Sequence, residues 1–151
     1  MTSSAILIPA RYGSTRYPAK ALVDLDGKPM IKRVYDACKQ TGLDTYVLTD
    51  HQEIYNVIGP NCIIDRGDYQ NGTERCCGAV LSRTFEEYDQ FINVQGDMPD
   101  INKDIIDSIL FGLKYHSVTT VFTDMTDEEQ NKPSSVKWYE QVIKLYGLVE
   151  A

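Results

Sequence analysis

The fold of this chain is decided by ILIPARYGSTRYPAK, residues 6–20, in which an apolar run stops at a proline and a cationic loop follows. An apolar run bounded by Pro and Gly is typical of a buried parallel strand. Arg11, Arg16 and Lys20 then lie beyond its carboxyl end, where open α/β sheets bind ligands. Because three cations on a short loop repel one another, and phosphate is a common partner of Arg and Lys, the stretch predicts a phosphate-binding loop. A solvated cationic loop is the alternative.

The rest of the chain alternates short apolar runs with helical patterns, which predicts βαβ units and a mainly parallel α/β sheet. The candidate strands are residues 5–9, 45–49, 61–65, 90–94 and 118–123. Apolar residues at helical spacing predict one helix over 30–38 and another over about 102–114. Residues 136–139 and 142–146 are compatible with a hairpin.

Helix starts are predicted from capping signals. Asp50 with Glu53, and Asn71 with Glu74, have the spacing of capping boxes, in which a side-chain oxygen satisfies free backbone amides. We expect helices to begin at both places. Asp100 is expected to help cap the helix over 102–114.

Composition bounds the class of protein. The chain has 151 residues, the length of one domain, with 15 Lys and Arg against 22 Asp and Glu. This acidic balance disfavours nucleic acid, whose binding depends on phosphate contacts. The four cysteines show no CxxC spacing, so reduced thiols are expected and sulfur ligation of a metal is not. Without a signal peptide or a membrane-length apolar run, the sequence predicts a soluble, cytoplasmic protein with no membrane partner.

A second polar segment, Gln95-Gly96-Asp97, follows the candidate strand 90–94. Magnesium is typically held by one or two carboxylates together with phosphate oxygens and water. A carboxylate at a strand end that faces a phosphate loop is therefore a candidate ligand, and Asp97 is that candidate. The alternative is a turn aspartate, since Gly-Asp before a proline is ordinary turn chemistry.

A third segment, residues 65–75, is a long loop that enters a helix. Helix amino termini attract anions, so Thr73 and Arg75 are candidates to reach a nucleotide, against the alternative of simple capping. His51 is interpreted as a surface residue rather than an acid or base. No Ser/His/Asp constellation, Walker motif or G-x-G-x-x-G is present, which disfavours P-loop hydrolysis and dinucleotide redox chemistry.

Five motifs together resemble the 3-deoxy-manno-octulosonate cytidylyltransferases (CMP-KDO synthetases). They occur in the family's order over most of residues 5–124, and they are residues 8–16 with Lys20, 25–31, 49–51, 72–75 and 93–97. The resemblance implies a Rossmann-like three-layer nucleotidyltransferase fold with a mainly parallel sheet. It also implies transfer of CMP from CTP to a sugar acid with release of pyrophosphate, as in lipopolysaccharide precursor synthesis, with Mg²⁺ as cofactor.

The resemblance also implies site residues. Arg11, Lys20 and Asp97 would be catalytic, with Arg11 and Lys20 on the triphosphate and Asp97 on the metal. The nucleotide-binding set would be Pro9, Ala10, Arg11, Gly13, Ser14, Arg16, Lys20, Gly72, Thr73, Arg75 and Gln95. Two positions depart from the family, because Ala19 replaces a glycine and Met98 an acidic residue.

The resemblance implies a core over residues 1–124 and a short extension over 125–151. Family members continue further, and that part supplies a second metal-binding aspartate, much of the sugar pocket and part of a dimer interface. The sequence therefore leaves two alternatives to an enzyme complete in itself. One is a shortened, non-catalytic nucleotide-binding protein, and the other is one half of an enzyme that a partner, for example in a homodimer, completes.

Overall fold

The computed structural model describes residues 2–13 and 18–120. Its central sheet has four parallel strands, which are β1 (Ser4–Ala10), β4 (Asp44–Thr49), β5 (Cys62–Ile64) and β6 (Gln90–Asn93). They lie side by side in the order β5-β4-β1-β6. Four of the five candidate strands are thereby confirmed. The fifth is wrong in its described part, because residues 118–120 are not in a strand; residues 121–123 lie outside the described residues.

The helices cover both faces of the sheet. They are α1 (Met30–Lys39), α2 (Gln52–Ile58), α3 (Gly72–Leu81) and α4 (Lys103–Leu113). Successive residues of β1 point to opposite faces, so Ile6 and Ile8 pack in the apolar cluster that includes residues of α1, α2 and α4. Leu7 packs in a second cluster with residues of α3. The result is the three-layer α/β architecture that the sequence predicts.

A small hairpin precedes α1, and the sequence analysis did not predict it. It pairs β2 (Asp24–Leu25) with β3 (Lys28–Pro29). Asp26 and Gly27 have φ of 54° and 83°, the positive values that a two-residue type I′ hairpin turn requires at both central positions. The Asp-Gly pair was the sequence signal for this turn.

Two of the capping predictions are wrong. Asp50 does not cap α2, because His51 is the N-cap residue and its Nδ1 accepts a hydrogen bond from the Glu53 amide at 3.3 Å. Asp100 does not cap α4, because the side chain of Asn102 accepts from the Ile105 amide. The cap lies immediately before each helix, where its side chain reaches the amides of the first turn.

The predicted cap of α3 is confirmed. Asn71 accepts a hydrogen bond from the Glu74 amide at 2.9 Å, and Glu74 accepts one from the Gln70 amide at 2.9 Å. The hairpin expected over 136–139 and 142–146 lies outside the described residues. Across residues 2–13 and 18–120, no helix combines the length and apolar character needed to cross a lipid bilayer.

Candidate functional site

A cleft of about 290 Å³ opens where β1 and β6 end and α3 begins. β1 is flanked by β4 on one side and by β6 on the other, so the direction of chain progression reverses beside it. Ligands bind open α/β sheets at such a reversal, beyond the carboxyl ends of the strands. Eight of the predicted site residues line this cleft, namely Pro9, Ala10, Arg11, Lys20, Gly72, Arg75, Gln95 and Asp97.

Lys20 and Asp97 face each other across the cleft. Lys20 lies in a single turn of 3₁₀ helix (Lys20–Leu22), and its Nζ is 2.7 Å from Asp97 Oδ2. Both side chains are about half exposed, so water screens the ion pair and the pair adds little to stability. A weakly held pair of this kind leaves both groups able to exchange partners with a charged ligand.

Two glycines allow the backbone segments around the cleft to approach one another. A Cβ at Gly72 would lie 2.8 Å from Pro9 Cγ and 2.9 Å from Gln95 Oε1. A Cβ at Gly96 would lie 2.9 Å from the carbonyl oxygen of Pro9. Glycine at both positions therefore keeps the end of β1 against α3 and against the segment after β6.

Arg75 lines the cleft, but its guanidinium is engaged within the protein. The side chain is 7% exposed, donates to the Asp65 carbonyl oxygen, and lies 4.9 Å from the centre of the Tyr69 ring. The Tyr69 hydroxyl in turn donates to the Asp65 carboxylate, which lowers the pKa of Asp65 and raises that of Tyr69. These contacts make Arg75 part of the wall of the cleft.

Other predicted residues lie elsewhere. Thr73 is exposed and does not line the cleft. Its hydroxyl accepts a hydrogen bond from the Asn93 side chain at 3.2 Å. Gly13 is exposed and also outside the lining. Ser14 and Arg16 lie outside the described residues.

The cleft contains one acidic lining residue in the described part of the chain, Asp97. Residues 2–13 and 18–120 hold no group of three or more His, Cys, Asp or Glu side chains able to bind a metal ion. Magnesium, however, commonly takes one or two protein carboxylates and completes its shell with phosphate oxygens and water. Among the described lining residues, Asp97 is the carboxylate that could hold such an ion.

The sequence placed residues 49–51 in one of the motifs and His51 on the surface, but it did not show that Asp50 and the half-buried His51 contact the loop after β1. Tyr12 donates its amide to Asp50 Oδ1 at 2.8 Å, and its ring stacks on the imidazole of His51. Asp50 follows β4, and β4 pairs with β1 up to Thr49 opposite Ala10. The signal available in the sequence was that polar residues at the ends of adjacent parallel strands meet at one edge of the sheet.

The comparisons with known proteins agree with this geometry. A family model described as cytidylyltransferase matches residues 5–141. A solved CMP:2-keto-3-deoxy-manno-octonic acid synthetase complexed with CTP is 35% identical, with a TM-score of 0.64 over 75% of this chain and 48% of the other. A cytidylyltransferase from Leptospira borgpetersenii serovar Hardjo-bovis shares the fold at 24% identity, with a TM-score of 0.61 over 77% of this chain and 50% of the other.

The chain spans about half the length of these two solved structures. The match to the family model nevertheless covers most of the sequence and includes every motif on which the predicted resemblance rests. The resemblance is confirmed at this level, and the chain belongs to the cytidylyltransferase family.

Proposed function

We propose that this chain binds CTP in the cleft at the ends of β1 and β6 and transfers CMP to a sugar acid with release of pyrophosphate. The observation that carries the proposal is that Arg11, Lys20 and Asp97 line one cleft, with Lys20 Nζ 2.7 Å from Asp97 Oδ2. Family membership supports the nucleotidyl transfer, and the 35% identical synthetase was solved with CTP bound. The cytoplasm is the proposed location.

The triphosphate would lie against Arg11 and Lys20, whose charges suit phosphate oxygens. A hydroxyl of the acceptor would attack the α-phosphorus in line, and pyrophosphate would leave on the opposite side. Catalysis of this type depends on positioning and on charge stabilisation, so no covalent nucleophile is required. Arg11 and Lys20 would stabilise the charge that develops on the leaving oxygens.

Asp97 would hold Mg²⁺ together with phosphate oxygens of the nucleotide. When bound, the ion neutralises charge on the phosphates. Asp97 is paired with Lys20 in this structure, so the pair would have to separate for Asp97 to bind the ion. Lys20 would then transfer its hydrogen bonds from the carboxylate to the phosphate, and neither charge would be left without a partner.

The experiment compares Lys20→Ala and Asp97→Ala with the wild-type chain. CTP binding is measured with and without Mg²⁺, and pyrophosphate release is measured with an added sugar acid. Loss of one preorganised charged group is expected to lower the rate on the order of a hundredfold, about 3 kcal/mol. Both side chains are half exposed, so the fold should be unaffected.

Lys28→Ala is the matched control. Lys28 is 46% exposed, and its Nζ lies 2.8 Å from Asp36 Oδ2. Neither residue lines the cleft. Lys28→Ala should leave CTP binding and turnover unchanged. Wild-type rates in Lys20→Ala and Asp97→Ala would refute the proposed site.

A non-catalytic nucleotide-binding role is the second candidate, favoured by the single acidic residue in the described lining of the cleft. A clamp of two metal ions needs ligands on both sides of the reacting phosphate. CTP binding without pyrophosphate release would support this role. Release that appears only in a dimeric fraction, resolved by mass measurement in solution, would instead support completion of the site by a partner subunit.

A further inference from the structure

Tyr12 is held in place through its amide, its carbonyl and its ring. Its amide donates to Asp50 Oδ1 at 2.8 Å, and its carbonyl oxygen accepts from the Ala19 amide at 2.9 Å. Its ring lies 3.7 Å from the His51 ring, centre to centre, with 14° between the planes. Three contacts of different kinds on one residue fix both its backbone and its side chain.

Tyr12 connects two of the cations that line the cleft, Arg11 and Lys20. Arg11 precedes Tyr12 directly, and Ala19, its hydrogen-bond partner, directly precedes Lys20. The contacts of Tyr12 therefore set the backbone positions from which Arg11 and Lys20 extend into the cleft. Neither Asp50 nor His51 is itself among the residues that line it.

Asp50 connects this segment to a second element of the site. Its Oδ2 lies 3.9 Å from Nη2 of the buried Arg75, whose side chain forms part of the wall of the cleft. One carboxylate thus contacts the loop after β1 through Oδ1 and α3 through Oδ2. Its own position is fixed because it follows β4, which pairs with β1 along its whole length.

We infer that Asp50 and His51 are positioning residues of the triphosphate site, which hold Tyr12 so that Arg11 and Lys20 face the phosphates together. This inference rests on the proposed function. Its chemical consequence concerns the triphosphate rather than the cytosine base, because the segment that Tyr12 controls carries the cations. Small displacements of groups that bind a reacting phosphate have large effects, on the order of a hundredfold in rate for 1 Å.

The test measures the affinity of the full chain for CTP and for inorganic tripolyphosphate, by calorimetry, in Asp50→Ala and Tyr12→Ala. Both ligands should bind about tenfold more weakly, the change that about 1.4 kcal/mol produces. Asp50→Asn keeps an oxygen that can accept from the Tyr12 amide and should recover most of the affinity. Tyr12→Phe keeps the stacked ring and should bind like the wild-type chain.

Asp44→Ala is the matched control for loss of a carboxylate. Asp44 is the first residue of β4, whereas Asp50 follows the last one, so the two carboxylates lie at opposite ends of this strand. Asp44 Oδ2 accepts a hydrogen bond from the Tyr88 hydroxyl at 2.8 Å. Asp44→Ala should lower the melting temperature without changing either affinity. Recovered affinity in Asp50→Asn, together with a lower melting temperature but unchanged affinity in Asp44→Ala, distinguishes positioning from a general loss of stability.

Two results overturn the inference, and they are distinguishable. Wild-type binding of CTP combined with unchanged affinity in Asp50→Ala and Tyr12→Ala refutes the positioning role and leaves the proposed function intact. A wild-type chain that binds neither CTP nor tripolyphosphate refutes the proposed function and the inference with it. If Asp50→Ala does not fold, the comparison of Tyr12→Ala with Tyr12→Phe decides the question.

Discussion

Replacing Ala19 by glycine should stabilise this protein, the opposite of the usual effect of glycine. Ala19 has φ 56° and ψ 27°, in the left-handed region where a Cβ is too close to the backbone. That conformation costs a non-glycine residue about 1–2 kcal/mol. Glycine removes the strain, but it makes the unfolded chain more flexible, which costs about 0.4–1 kcal/mol. The difference lies between about 0 and 1.6 kcal/mol, and the middle of the two ranges gives an expected gain of about 0.8 kcal/mol in the free energy of unfolding.

The backbone contacts of Ala19 should survive the substitution. Its amide donates to the Tyr12 carbonyl at 2.9 Å, and its carbonyl accepts from the Leu22 amide at 2.8 Å. Neither contact uses the methyl group, so glycine retains both. The substitution therefore isolates the conformational cost of one left-handed residue.

The assay is urea and thermal unfolding of Ala19→Gly beside Ala37→Gly. Ala37 lies inside α1 and packs against the core, so glycine there should cost about 1 kcal/mol in helix propensity. The melting temperature of Ala19→Gly should rise by about 1–4 °C, since about 1 kcal/mol shifts it by 2–4 °C in a domain of this size. Destabilisation of both variants by similar amounts would refute the argument, because it would show that Ala19 bears no left-handed strain.

Three further predictions concern other parts of the molecule. Gly96→Ala should lower the free energy of unfolding by about 1–3 kcal/mol, because its Cβ would lie 2.9 Å from the Pro9 carbonyl oxygen and 3.2 Å from Ile31 Cδ1. Gly13→Ala is the control, because a Cβ there would meet no atom of the described residues within 4 Å. Equal urea midpoints in the two variants would contradict the packing argument. Burial raises the pKa of the Cys38, Cys62 and Cys76 thiols to about 12. A thiol reagent at pH 8 should therefore label one cysteine per chain, the exposed Cys77. Rapid labelling that persists in Cys77→Ser would contradict the assignment of the reactive thiol to Cys77. The hydrogen bond from Tyr69 lowers the pKa of Asp65, so the Asp65 carboxylate stabilises the fold above its unfolded pKa, and this contribution is lost as pH falls through the lowered folded value. Tyr69→Phe should therefore have a lower free energy of unfolding than the wild-type chain at pH 7, and the two should become equal in acid. A difference that does not change with pH would count against this mechanism.

Much of the fold could be predicted from local patterns. β1 is an apolar run buried on both faces, and α1 buries Met30, Ile31, Val34, Tyr35 and Cys38 at helical spacing. Such patterns reflect burial that each element needs by itself, so the sequence alone shows them. The predicted strand 118–123 is rich in the β-branched and aromatic residues that strands favour, but residues 118–120 are not in a strand. Strand propensity does not say which segments find a partner strand.

Eight of the fourteen residues that line the cleft were predicted from the sequence, and what the sequence could not predict has a physical cause. Arg11, Lys20 and Asp97 follow apolar strands or lie beside them in sequence, so the rule that ligands bind at strand ends finds them. Thr73 was expected near the nucleotide because it begins a helix, yet its hydroxyl bonds to Asn93. The direction of a side chain at a helix start depends on neighbours that are distant in sequence.

The sequence by itself determined the alternation of strands and helices, the cationic loop after the first strand and the motifs of the cytidylyltransferase family. Tertiary structure alone decided which groups meet: Lys20 with Asp97, 77 residues apart, and Tyr12 with Asp50, 38 residues apart. The reason is that periodicity and capping act over a few residues, whereas these contacts arise only when parallel pairing brings the ends of β1, β4 and β6 to the same edge of the sheet.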